Sequence, residues 1–172
     1  IQADVLVVGG GAAGAIAALS AFDAGAHVLL LTKGRLQSGC SRMAGSDMVA
    51  VMDRKDEEDK PEIHIEDSIS EGCGLKDPAL VEVMVREAAD IVRYLDREGL
   101  PFEKDAGRFI LAQRPKHRFP RHLCTQNSFG PHLMTCLGRA VKAQRIALRE
   151  NAMLTDVHLE DGEVAGAWAV DY

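Results

Sequence analysis

No run of apolar residues in this 172-residue chain is long enough to cross a membrane. Aromatic side chains are scarce, at 5% with a single Trp, so a core must be filled by valine, leucine and alanine. Cysteine is sparse as well. The four, at 40, 73, 124 and 136, contain no C-x-x-C pair and do not reach the density of a disulfide scaffold, so reduced thiols and a cytoplasmic setting are expected. Positive charge is in the minority: 20 Lys and Arg against 26 Asp and Glu leave a formal net charge of −6. A nucleic-acid partner or an anionic membrane surface would need a clustered basic face, so neither is expected. His117, His122, Cys124, His132 and Cys136 follow no standard zinc spacing, and no metal is expected. The chain opens at Ile1, almost directly on its first strand and without an initiator Met, which leaves room for a removed leader.

What the chain has is glycine in one telling place, Gly9-Gly10-Gly11-Ala12-Ala13-Gly14. Val5 to Val8 ahead of it is a β-branched and aliphatic run that predicts a strand buried on both faces. Ala15 to Ala24 behind it is rich in alanine and predicts a helix, stopped by Gly25. Val28 to Leu31 then predicts a second buried strand. Gly9, Gly11 and Gly14 fall in the G-x-G-x-x-G register: one for the tight turn, one for the approach of a pyrophosphate, one for close helix–strand packing. The helix N-terminus adds free N–H groups and positive dipole for phosphates. Inside a strand–helix–strand unit the motif means more than a turn that merely needs glycine. NAD-binding units usually place an acidic residue after the second strand, and this chain has Thr32-Lys33 there. A lysine suits the 2′-phosphate of NADP, while FAD can be held by backbone and hydroxyl groups. Both readings stand on the residues alone.

Downstream, 35–48 is small and polar and predicts an ordered loop. Asp53 to Lys60 is a solvated charge run. Helices are predicted from Pro61, from Asp77-Pro78 to Gly99 with Leu80, Val81, Met84, Val85, Ala88, Ile91, Val92 and Leu95 on its apolar face, and from Phe129 to Glu150. A short strand is predicted at 107–111. The basic segment Arg114 to His122 predicts either a loop facing an anion or dicarboxylate, or one held by salt bridges. Met153 to Leu159, a turn at 160–163 and Val164 to Val170 predict a C-terminal hairpin. The fold expected is α/β: one Rossmann-like domain over 1–172, whose parallel sheet starts with 4–8 and 28–31 and is joined by 153–159, with flanking helices. The chain is expected to be an N-terminal piece of a longer protein.

With these residues laid out, the chain resembles the flavoprotein subunits of the succinate dehydrogenase/fumarate reductase family, most of all the L-aspartate oxidase branch. The matching marks are D-V-L-V-V-G-G-G-A-A-G at 4–14, T-K-G at 32–34, S-G-C-S-R-M-A-G-S at 38–46, H-I-E-D-S at 64–68, G-L-P-F at 99–102, F-P-R at 119–121 and L-x-D-G-E-V-A-G at 159–166. They span nearly the whole chain. The resemblance implies FAD rather than NADP, and a fold incomplete relative to the family. By it, Gly9, Gly11 and Gly14, with Ala12 and Ala13 between them, would hold the pyrophosphate. Thr32 and Lys33 would lie by the ribose, Ala152 and Met153 by the adenine. Cys40, Ser41, Arg42, Met43, Ala44, Gly45 and Ser46 would run along the isoalloxazine. Members that bind FAD covalently use a histidine in that loop, and Cys40 at the matching position implies non-covalent FAD. Ser46-Asp47 departs from the two glycines the family often has there. The resemblance further implies hydride transfer between flavin and a C4 dicarboxylate or aspartate, and, for some members, a partner that carries electrons. The family's catalytic residues lie in parts outside 1–172, so no catalytic residue is named. An isolated nucleotide-binding module without activity, or an NADP-linked reductase, are the alternative readings.

Overall fold

The computed structural model describes residues 1–45, 47–52, 58–126 and 128–171. Ser46 and positions 53–57 of the charge run lie outside the described residues. Along the chain the elements are β1 (Val5–Val8), α1 (Ala12–Asp23), β2 (Val28–Leu31), α2 (Cys40–Met43), β3 (Met48–Val49), α3 (Pro61–Glu71), α4 (Pro78–Arg97), β4 (Lys104–Asp105), β5 (Arg108–Phe109), β6 (Leu111–Ala112), β7 (His122–Leu123), α5 (Phe129–Ala143), β8 (Ala147–Arg149), β9 (Ala152–Glu160) and β10 (Glu163–Asp171). They form two compact units, residues 1–44 with 130–172, and residues 45–129.

The first unit holds the nucleotide-binding topology. Its sheet has the order β1-β2-β8, parallel throughout, with Val5 opposite Val28 and Leu29 opposite Ala147. Ala15, Ala18 and Leu19 of α1 and Met134, Leu137 and Val141 of α5 are buried with Leu30 of the central strand. Alanines on α1 let that helix lie close to the strands. Three readings of the sequence are corrected here. The third strand of the sheet is β8 rather than 153–159, because β9 pairs only with β10. The helix predicted to reach Glu150 ends at Ala143, and Arg145, at φ +56°, turns the chain into β8. β1 is not buried on both faces: it is an edge strand, and Leu6 and Val8 are 39% and 49% exposed. The hairpin itself forms as expected. Asp161 and Gly162 both have positive φ, +53° and +84°, the two-residue turn whose twist matches that of the strands.

The second unit is built on α3 and α4 and on the antiparallel sheet β3-β7-β6. Pro78 occupies the first turn of α4, and the Asp77 carboxylate accepts from the Ala79 N–H at 2.9 Å, the expected cap. Val81, Val85, Ala88, Val92 and Leu95 form its buried stripe. Leu80 and Met84, predicted on that face, are exposed, because spacings of three and four place the stripe one position further round. The strand predicted at 107–111 is broken into β5 and β6, with Ala106 and Gly107 at positive φ between β4 and β5.

Candidate functional site

The chemistry-bearing end of the first unit is the C-terminal edge of its parallel sheet, where loops follow β1, β2 and β8. Gly9 leaves β1 at φ +114°, a conformation that L-residues avoid, and its N–H donates to the Leu31 carbonyl at 2.8 Å. A Cβ on Gly14 would collide with the Gly9 carbonyl, so the helix approaches the strand to within a distance only glycine permits. Gly10, the position the motif leaves unspecified, is constrained too: a Cβ there would come to 2.8 Å from the Thr32 hydroxyl. The space that a Cβ on Gly11 would enter is bounded by the Ser41 hydroxyl at 3.2 Å.

No side chain of its own caps α1. Among the described residues, the Gly11, Ala13 and Gly14 N–H groups have no acceptor, while the Ala12 N–H donates to Ser41 Oγ at 3.1 Å. Converging unpaired amides on a helix N-terminus with no acidic residue in the first turn fit a phosphate group, and a cradle that Cβ atoms would fill fits its close approach. The residues therefore fit the pyrophosphate of a dinucleotide.

Thr32 is buried. Its N–H donates to the Arg149 carbonyl at 2.8 Å, and its carbonyl accepts from the Ala152 N–H at 3.1 Å. That ties the end of β2 to the start of β9 and places Ala152 and Met153 beside the Thr32-Lys33 segment. Lys33 is exposed, Ala152 is buried, and Met153 is 40% exposed.

The segment read as a plain loop contains a single helical turn, α2, entered through Gly39 at φ +92°. Ser41 faces α1 through its hydroxyl. Cys40, Arg42 and Met43 are exposed, with Met43 at 83%. Ala44 accepts from the Gly130 N–H at 2.8 Å. Gly45 begins the second unit.

Several supporting residues escaped the reading of the sequence. A Cβ on Gly130 would strike the backbone of Ser41, Arg42 and Ala44, so α5 and α2 touch backbone to backbone. Gly138 makes the same allowance for the Gln37 side chain. Glu150 accepts the Leu36 N–H at 2.6 Å and holds the loop after β2. None has a local signal, because each partner lies tens of residues away.

The basic segment of the second unit resolves into the salt-bridged alternative. Arg121 is fully buried and donates to Asp59 at 2.6 and 2.8 Å and to Asp67 at 2.7 Å. Arg118 reaches Asp67 at 2.5 Å and Glu66 at 2.7 Å. Arg114 pairs with Asp47, and Lys116 with Glu71. Burial alone would raise the Asp67 carboxyl, but hydrogen bonds from Arg121 and Arg118 outweigh it and hold the group below the usual range. Burial and the neighbouring Arg121 guanidinium push the His64 imidazole down to about 4, so it is neutral at pH 7. Burial also lowers His122, with His117 adding to the effect.

The parallel sheet, the glycine turn and the amide-lined helix end define a dinucleotide-binding domain. Over residues 4–171 the chain matches the FAD binding domain family, and it belongs to that family. It is 33% identical to one of the subunits of the fumarate reductase (CoM/CoB) of Methanothermobacter marburgensis, over 98% of this chain and 31% of that protein. It is 34% identical to the L-aspartate oxidase of Streptomyces coelicolor, over 96% of this chain and 29% of that one. A flavocytochrome c3 fumarate reductase in its open conformation superposes with a TM-score of 0.86 at 32% identity, covering 97% of this chain and 30% of that one. Mycobacterium smegmatis Sdh1 in complex with UQ1 shares the fold, with a TM-score of 0.91 at 24% identity. The chain spans about 30% of the length of these relatives. It is thus an FAD-binding domain similar to those of fumarate reductase and L-aspartate oxidase flavoproteins, and its cofactor is FAD.

Proposed function

We propose that residues 1–172 are the FAD-binding part of a longer flavin-dependent oxidoreductase acting on a C4 dicarboxylate or on aspartate. The observation that carries the FAD-binding part is the end of the β1-β2-β8 sheet, with the unpaired amides of Gly11, Ala13 and Gly14, Gly10 against Thr32 and Ser41 against α1. The substrate class is supported by the likeness to a fumarate reductase subunit and to L-aspartate oxidase. When bound, FAD supplies a flavin N5 that accepts or gives hydride. The chain's own residues bind and orient it. Gly9 to Gly14 hold the pyrophosphate, Thr32 and Lys33 the ribose, and Ala152 and Met153 the adenine. Cys40 to Ser46 follow the isoalloxazine, and the Cys40 thiol standing where covalent members have an imidazole leaves the flavin unattached. Cationic groups that orient the substrate come from the rest of the protein.

An electron-transfer subunit is a further proposed partner. It is supported by the likeness to a protein whose name makes it one of the subunits of a fumarate reductase. We place the protein in the cytoplasm, with any membrane association made through partner subunits. Among the described residues no helix is long and apolar enough to cross a membrane.

The test uses the full-length protein. After acid precipitation, the flavin should remain in the supernatant, and turnover should appear with succinate, fumarate or aspartate. Flavin fluorescence in the precipitate overturns the attachment, and inactivity with all three compounds overturns the substrate class.

A further inference from the structure

A second stripe of α4, beside the buried one, is apolar but faces water. Leu80 is 68% exposed, and Val83 and Met84 are more than half exposed. Helical spacing sets 80, 83, 84, 87 and 91 along one face, apart from the charged face that carries Glu82, Arg86 and Asp90. Leu75, 94% exposed just ahead of the helix, extends the patch. Single exposed apolar residues are ordinary, whereas a contiguous group marks an interaction surface. Met84 and Ile91 also line a mainly apolar cavity of about 550 Å³, so the patch runs on into the cavity wall. A small molecule held there would still leave Leu75, Leu80 and Val83 in water, since none of the three lines it.

Charges of opposite sign close the stripe at its two ends. Lys76 stands just before the first turn of α4, and Glu87 about two turns beyond Leu80. Both are exposed. Among the described residues neither forms an ion pair, and the Lys76 ammonium bonds to the neutral Ser68 carbonyl at 2.6 Å. The two charges balance, so the surface favours neither an anion nor a cation. What it has is direction: a positive end, an apolar middle and a negative end. A second copy laid alongside in the same direction would set like charges together. Turned end for end about a two-fold axis, it sets each Lys76 against Glu87 of the other copy, and Leu80 against Val83 and Met84. The surface is then its own complement.

We propose that the exposed stripe of α4 is a homodimer interface, in which two copies of this protein pack their α4 helices antiparallel across a two-fold axis. Lys76 of each copy pairs with Glu87 of the other, and Leu75 of each covers the cavity wall of the other at Ala88. The inference does not rest on the oxidoreductase reading, since every residue involved belongs to the second unit.

Sedimentation equilibrium of the full-length, FAD-loaded protein over a concentration series tests it, and a monomer–dimer equilibrium is expected. Leu80→Asp lies at an exposed position that leaves the fold intact, and it occurs twice across the axis. It should raise the dimer dissociation constant at least about tenfold. Glu87→Lys and Lys76→Glu should each weaken the dimer about threefold to tenfold. Combined, they should restore the parent value, because the pairs re-form with their signs exchanged. Amide protection of 75–87 from hydrogen exchange should grow with protein concentration. A protein that stays monomeric, a dimer indifferent to Leu80→Asp, or a double variant as weak as the single ones overturns the proposal. So does protection of 75–87 that is independent of concentration, the result of a cover supplied by the rest of the same chain. FAD content read from the same samples separates failure here from failure of the flavin assignment.

Discussion

Gly14 is the residue on which the nucleotide end depends most. Alanine at that position would drive a methyl group into the Gly9 carbonyl, and neither backbone can yield without opening the turn. We expect Gly14→Ala to cost about 2 kcal/mol, the size usual for overpacking, seen as a lower urea midpoint at unchanged slope. Arg121 is the counterpart in the second unit. Truncation to alanine would remove the buried guanidinium that pairs with Asp59, and would leave Asp67 to Arg118 alone. Breaking one side of a buried pair typically costs about 3–5 kcal/mol, so Arg121→Ala should unfold at a far lower urea concentration than the parent. These two residues were unequally legible. The glycine announces itself by spacing, whereas the partners of Arg121 lie 54 and 62 positions away and leave no local trace.

Between residues and the molecule, the α3 helix carries a pH dependence. His64 on that helix is buried near Arg121 and His117, with Asp59 and Asp67 also facing it, and its folded value of about 4 lies below the ordinary 6.5. The unfolded chain therefore binds a proton that the folded one does not, so stability rises with pH through this window. On acidification it is lost from about pH 6.5 down to about pH 4, by about 2 kcal/mol after allowance for solvent screening. The depressed Asp67 carboxyl adds a further loss only as pH falls below the ordinary carboxylate range. Chemical denaturation at a series of pH values should show this slope, and His64→Gln should flatten the upper window; an unchanged slope contradicts the assignment. At α4, Asp77→Ala should cost about 1 kcal/mol through loss of the cap on Ala79, measured by the same method. The pattern of α4 was legible because twenty residues give several helical repeats. The three residues of β8 and the four of α2 are too short to show a period, so the sheet's third strand was sought in the longer run that follows.

At the scale of the whole molecule, the strand–glycine turn–helix–strand core and the hairpin were readable because each depends on local grammar: periodicity, a turn residue, a cap. The division into two compact units was not, because it depends on which distant segments pack together. An FAD site made of 1–172 alone would hold the cofactor by its pyrophosphate and adenosine contacts. We therefore expect an isolated preparation of these residues to lose its yellow colour on dialysis and to be inactive with succinate, fumarate and aspartate. A tightly flavinylated, active preparation would show that the catalytic groups lie within these residues. The central claim, that the Gly9–Gly14 turn is built for FAD, is tested most directly by titrating the full-length apoprotein with FAD and, separately, with NADP. The account predicts saturable uptake of one FAD per chain and no competition from NADP. Binding of NADP with no uptake of flavin would contradict it.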